Sequence, residues 1–242
     1  MLVCIAALGY QARYLEIDAS AETLLLEDDK DLAFTRKVNE RYGSSDFLVL
    51  TYSPQADLLA DATLDSLRKL SAELLELERV ESVMSILNVP LLESPPKPVK
   101  ELLKNVPTIE SPGIDKTLAK QEFLNSPIYR DNLVSPDFKT TALLINLFDD
   151  PLYRELLQQR NVLRKKEKDG LLSVLEQSEL KNVLINFKNH RDKMRLVEHK
   201  NISQVREIAE KYRGDAKIFL GGASMVADDL ITFIRSDLQV FG

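Results

Sequence analysis

Two clusters of adjacent carboxylates come closest, in this chain, to a set of residues that could do acid–base or metal chemistry. Asp228 and Asp229 stand near the start of a helical pattern, and Glu27–Asp29 form a run in a polar segment. Neighbouring carboxylates can share a proton or hold a cation. Carboxylates at the start of a helix also stabilise it, typically by about 0.3–1 kcal/mol. We therefore interpret Asp228 and Asp229 as helix-terminal charges and the Glu27–Asp29 run as a solvated loop.

A second candidate is the segment GGAS (Gly221–Ser224), which lies between a predicted strand and a predicted helix. A strand, a glycine turn and a helix are the setting of a phosphate-binding loop and of a nucleophile elbow. The segment lacks the glycine pattern and lysine of the first, and the G-x-S-x-G of the second. We interpret the glycines as a site of tight packing between strand and helix.

The remaining reactive side chains do not form a recognisable set. His190 and His199 lie in a stretch rich in lysine and arginine, without the spacing of metal ligands, and are predicted to be surface residues. Cys4 is the only cysteine, so no disulfide forms within the chain, and cysteine usage leaves the compartment open. The sequence therefore predicts no enzyme, no catalytic or metal-binding residue and no cofactor, and it identifies no substrate-binding residue.

Composition places the chain among globular proteins. Hydrophobic residues make up 44% of the 242 residues, charged residues 29%, and the net charge is −6. This balance excludes extensive disorder. The densest basic run, Arg164–Lys168, contains Glu167 and is typical of a solvated helix face, so we expect no nucleic-acid partner.

The elements follow a repeated strand–helix–strand order. DFLVLTYS (46–53) and VESVMSILNV (80–89) are predicted strands, and between them five leucines share one face of a helix over 62–78, with Asp61 as its N-cap. TTALLINLF (140–148), a helix over 202–213 and AKIFLGG (216–222) repeat the order. Two such halves predict an α+β fold, a ferredoxin-like split βαβ sandwich with both helices on one face of a single sheet.

Each half is interrupted by an insertion. Residues 90–136 hold eight of the ten prolines and are predicted to form an irregular arm with short helices at most. Residues 152–196 are rich in charged and helix-favouring residues, with a turn at Asp169-Gly170, and are predicted to form a hairpin of two antiparallel helices. Such a hairpin could cover part of the sheet or dock to another protein.

The two ends of the chain raise a separate question. Met1–Gly9 carry no charge and could be a signal peptide, a buried strand or the end of a transmembrane helix. The first lacks a basic n-region and a cleavage site, and nine residues are too few to cross a bilayer, which takes about 20. Apolar residues recur at helical spacing over 225–241. A domain looped between two membrane spans would have both features, and the buried strand remains the alternative for the first nine residues.

Five stretches follow one another in a distinctive order: LEIDASAETLLLEDDKDL (15–32), RYGSSDFLVLTY (41–52), LERVESVMSILNVP (77–90), LVSPDFKTTALLINL (133–147) and GGASMVADDL (221–230). In order and spacing they resemble the large extracytoplasmic loop between the first and second transmembrane helices of predicted exporters of the RND (resistance–nodulation–division) superfamily. The closest branch contains the MMPL-type permeases and hopanoid exporters. Where that family often has glycine after the hairpin aspartate, this chain has Phe138, which predicts a different turn. The insertion at 152–196 has no part in the resemblance.

The resemblance implies a division of the chain and a function. Residues 1–12 would end one transmembrane helix, 13–222 would form a periplasmic porter domain, and 223–242 would lead into the next span. The domain would belong to a proton-driven exporter in a bacterial inner membrane, moving hydrophobic or lipid-like substrates, with its proton relay outside this chain. The membrane would be its partner, and a periplasmic protein partner or self-association stays open. The alternative is a soluble α+β interaction domain with the helical hairpin as its docking arm.

Overall fold

A computed structural model describes residues 46–94 and 106–241, together with the single residues 34 and 96. The predicted transmembrane end at 1–12, Cys4 and the Glu27–Asp29 run lie outside the described residues. Ser45–Ser224 form one compact unit, and the residues from Met225 onward belong to a second unit, which is described by itself.

The first unit is built on one antiparallel sheet of four strands. The strands are β1 (Phe47–Pro54), β2 (Val80–Met84), β3 (Thr141–Leu147) and β4 (Ala216–Gly221). Their order across the sheet is β2-β3-β1-β4, and each neighbouring pair is antiparallel. The α+β class and the prediction that the four strands share one sheet are therefore confirmed.

One face of this sheet forms the core. Alternate residues of the strands point to opposite faces, and those on the core face are buried: Leu48, Leu50, Tyr52, Leu143, Ile145 and Ile218. Helix α1 (Asp61–Leu75) adds the buried Leu64, Leu67, Leu70 and Leu74 of its leucine stripe. The helix that precedes β4 adds Ile202, Val205 and Ile208, and hydrogen bonds from its end to Glu73 place it beside α1.

The start of α1 and the end of β2 differ from the sequence expectation. Ala60, not Asp61, is the N-cap of α1, and Asp61 is the first helical residue, paired with Lys116 at 2.6 Å. Strand β2 ends at Met84, because Asn88 closes a turn by accepting from the Ser85 amide at 2.9 Å and donating to the Val83 carbonyl at 2.7 Å.

Where it is described, the proline-rich insertion contains one short helix among turns and irregular backbone, and several of its side chains are buried. This helix is α2 (Lys116–Asn125), capped by Asp115. Phe123 of this helix is fully buried and meets Tyr129 and Phe138 at ring-centroid distances of 5.6 and 6.3 Å. The buried Glu122 carboxylate accepts from the Leu92 and Glu93 amides and the Ser94 hydroxyl at 2.6–3.0 Å, so it fastens the first residues of the insertion to α2.

The helical insertion forms the predicted antiparallel hairpin, but its second helix is much longer than predicted. Helix α3 spans Pro151–Lys168, and helix α4 runs without a break over 38 residues, Val174–Lys211. The helix predicted over 202–213 is therefore the last part of α4 and not a separate helix. Because no glycine or proline occurs between Gly170 and Gly214, nothing in the backbone ends the helix earlier.

The turn before β3 keeps a glycine-like backbone although it lacks glycine. Phe138 has φ 54°, in the left-handed region, and its side chain is buried. Phenylalanine thus occupies a backbone conformation that favours glycine. Burial against Phe123 offsets the backbone strain, which costs roughly 1–3 kcal/mol for a residue other than glycine.

Helix α5 spans Ala223–Phe241, and its residues from Met225 onward belong to the second unit. Asp228 and Asp229 are its sixth and seventh residues, beyond the first turn, so their interpretation as helix-terminal charges is weakened, since the dipole effect is confined to that turn. Among the described residues, no helix combines the length and apolar character that crossing a membrane requires.

Candidate functional site

The face of the sheet opposite the core carries exposed apolar side chains and is the first candidate site. Phe47, Met84 and Phe219 have exposed fractions of 48%, 41% and 66%, and Val49 and Leu144 are half-buried. We call these five residues the open face. A soluble domain rarely leaves apolar side chains of several strands uncovered together.

Strand register joins most of the open face into a continuous surface. Met84 of β2 is opposite Leu144 of β3, and Leu144 is opposite Val49 of β1. Val49 is in turn opposite Gly221 of β4, and Phe219 is opposite Thr51. The apolar row therefore crosses β2, β3 and β1 and ends at Gly221 of β4, and Phe219 lies two residues before Gly221 on the same face of β4.

Next to this row, Gly222 allows the chain to leave β4 close to β1. Its φ is 143°, and a Cβ atom built there would lie 2.9 Å from Leu48 Cδ2 and 3.0 Å from the Phe47 carbonyl oxygen. Gly222 thus permits tight packing, but against strand β1 rather than between a strand and a helix as the sequence indicated, whereas a Cβ atom at Gly221 would make only an ordinary contact at 4.0 Å with the Val49 carbonyl oxygen.

The base of the helical hairpin is the second candidate. Asp150 caps α3 by accepting from the Tyr153 amide at 2.9 Å, and its other oxygen lies 2.8 Å from His190 Nε2. His190 is half-buried, so the prediction of a surface histidine is wrong for this residue and correct for the exposed His199. Beside His190 lies a shallow groove of about 400 Å³ lined by Leu152, Leu156, Asn186, Asn189, His190 and Lys193.

This groove has little catalytic potential. A His–Asp pair activates a hydroxyl or thiol in hydrolases, whereas the groove is lined by amides, an ammonium group and two leucines. The surroundings of His190 and Asp150 indicate a structural role. Between the two helices, the Phe187 ring lies 5.2 Å from the Tyr153 ring, centroid to centroid, and the Arg160 guanidinium lies 4.6 Å from the Phe187 ring centroid. His190 and Asp150 therefore lock the two helices together where the hairpin leaves the sheet.

In the described part of the chain, no group of three His, Cys, Asp or Glu side chains is close enough to hold a metal ion.

Comparison with known proteins identifies no relative, since neither a family model nor a curated protein matches this chain. The open face and the hairpin are thus the features from which a function has to be argued.

Proposed function

We propose that this chain is the periplasmic porter domain of an RND-type exporter, with a ferredoxin-like split βαβ sandwich as its framework. The strand order β2-β3-β1-β4, with one helix between β1 and β2 and another before β4, supports the fold assignment. The five-segment resemblance supports the family assignment. The exporter would be proton-driven and lie in a bacterial inner membrane.

The observation that carries the proposal is the open face. A wall that guides hydrophobic or lipid-like molecules has to present apolar side chains to water at an acceptable cost in stability. The rigid sheet does this, because the core on its other face fixes the strands while Phe219, Met84 and Val49 remain on the outer face. In the intact exporter this face would contact the substrate or an adjoining porter wall.

Binding of an apolar probe tests this role of the open face. We expect N-phenyl-1-naphthylamine to bind the 242-residue chain and its fluorescence to rise. The double substitution Met84→Ser and Phe219→Ser should lower that rise at least about threefold. The matched control is Ile128→Ser, at a 70% exposed apolar residue of the proline-rich insertion. Equal binding by both variants would contradict the role.

The family assignment has its own test in the reading frame that encodes this chain. Apolar spans of about 20 residues on both sides are expected for an exporter loop. Their absence would remove the exporter proposal and favour the second candidate, a soluble interaction domain. That candidate is supported by exposed apolar residues along the hairpin, Val162, Ile185 and Leu196, which would dock to a protein partner.

A further inference from the structure

The tip of the helical hairpin carries the most exposed apolar side chains of the described residues. Leu171, Val174 and Leu175 are 72%, 79% and 84% exposed. We call these three residues the tip. Helix α3 extends over 18 residues, so the tip stands on the order of 27 Å from the hairpin base.

The backbone of the tip is well ordered by its own hydrogen bonds. The Leu171 amide donates to the Lys166 carbonyl at 2.8 Å, and the Asp169 and Gly170 amides bond to carbonyls of the last turn of α3. Ser173 and Glu176 form a capping box at the start of α4, and Lys166 pairs with Glu176. The Asp169, Gly170, Leu171, Ser173 and Glu176 amides are thus satisfied within the hairpin, which lowers the cost of bringing this turn against an apolar medium.

The net charge of the residues around the tip is opposite in sign to that of the whole chain. Residues 164–181 hold five basic and four acidic side chains, a net charge of +1, whereas the whole chain carries −6. Arg164, Lys165 and Lys168 lie in the last turns of α3, behind the tip. Long basic side chains in this position can reach anionic headgroups while the apolar residues sit deeper.

From these observations we infer that the tip inserts into the surface of an anionic lipid bilayer. A protein partner is less well matched, because a stable protein interface takes roughly 20–30 residues a side and the tip is a convex group of three. The inference depends on the hairpin alone and not on the exporter proposal.

A single tryptophan tests the insertion directly, because the chain has none. In the full 242-residue chain, Leu171→Trp should give a blue-shifted emission with phosphatidylglycerol vesicles and be quenched by brominated acyl chains. The matched control is Leu196→Trp, at a 66% exposed residue of the same hairpin, and its emission should not change. An unchanged Leu171→Trp spectrum, even if the chain floats with the vesicles through other residues, would overturn the inference.

Flotation of substituted chains completes the test. Leu171→Ser with Val174→Ser and Leu175→Ser should lower partitioning onto phosphatidylglycerol vesicles at least about tenfold, and Arg164→Gln with Lys165→Gln should lower it less, in a salt-dependent way. The control Val162→Ser with Ile185→Ser and Leu196→Ser should bind like the unsubstituted chain, and circular dichroism verifies that all variants fold. Equal loss in both triple variants would mean that vesicle binding does not depend on the tip and would overturn the inference, and a Leu171→Trp shift seen only with a protein extract would replace the lipid surface by a protein partner.

Discussion

Glu73 on α1 accepts a hydrogen bond from the Tyr212 hydroxyl at 2.7 Å, and this contact joins the two helices that cover the sheet. Lys211 adds a second bond to the same carboxylate at 2.6 Å. The Lys211 ammonium and the Tyr212 hydroxyl lower the pKa of Glu73, and burial together with Glu73 raises the pKa of Tyr212. One carboxylate thus fixes the end of α4 to α1, just before the chain enters β4.

Glu73→Gln should destabilise the domain by about 1 kcal/mol, a value kept low because the carboxylate is partly solvent-exposed. Urea unfolding measures the change. Glu76→Gln, at an exposed residue near the end of the same helix, is the control and should stay within about 0.5 kcal/mol. Because the folded-state pKa of Glu73 is lowered, its contribution is present above its unfolded pKa and disappears as pH falls. The difference in free energy of unfolding between Glu73→Gln and the unsubstituted chain should therefore shrink on acidification. A difference that does not change with pH would contradict the pairing of Glu73 with Lys211 and Tyr212.

Gly222→Ala should be strongly destabilising, by roughly 2–4 kcal/mol. The new methyl group would meet Leu48 Cδ2 and the Phe47 carbonyl oxygen, and φ at this residue is unfavourable for any L side chain. Gly214→Ala is the matched control, since a Cβ atom there has no neighbour within 4 Å. Thermal unfolding of the two variants measures the contrast, and similar midpoints would show that the turn relaxes without cost.

The leucine stripe of α1 illustrates what the sequence can predict. Its spacing follows from helix geometry alone, and Leu64, Leu67, Leu70 and Leu74 are buried as expected, whereas the fifth leucine, Leu77, lies beyond the end of α1 and is half-buried. The length of α4 was not predicted, because its apolar pattern changes along the helix. The first part of α4 packs against α3, and the last part packs against the sheet. A change of packing partner resembles an element boundary in sequence, although the backbone continues unbroken from Val174 to Lys211.

The open face was missed for a related reason. FLVLTY is apolar at successive positions, and such a run is typical of a strand buried on both faces. Whether the second face is covered depends on the rest of the fold, so Val49 and Phe47 could not be assigned from local pattern. The signal that was present is the lack of alternation: an antiparallel strand with one solvated face ordinarily places polar residues there.

The hairpin turn should respond to acid through Glu176. Lys166 and the Ser173 amide and hydroxyl lower the pKa of Glu176 to about 2. A carboxyl group with a lowered folded-state pKa stabilises the folded form above its unfolded pKa, near 4.3. We therefore expect the capping box to weaken as pH falls from about 4.3 toward 2. NMR titration of the Glu176 side chain measures the midpoint, and Lys166→Met should raise it, whereas Lys181→Met should not. A midpoint near 4.3 in the unsubstituted chain would mean that the pair does not form in solution.

Substitutions at Phe138 separate the cost of its left-handed backbone conformation from the stabilisation that its buried ring provides. Its left-handed φ of 54° favours glycine, while its buried ring packs on Phe123 and under the Lys120 ammonium at 4.9 Å. Removing the ring should cost roughly 3–5 kcal/mol, so both Phe138→Ala and Phe138→Gly should be much less stable than the unsubstituted chain. Because glycine adopts this φ without strain, Phe138→Gly should be the more stable of the two by about 1 kcal/mol.

At a residue with ordinary φ, such as the buried Phe123 in α2, the order should reverse, since glycine weakens a helix relative to alanine. Urea unfolding of the alanine and glycine variants at Phe138 and Phe123 measures these differences. If the alanine variant is the more stable one at both positions, the turn at Phe138 does not hold its left-handed conformation.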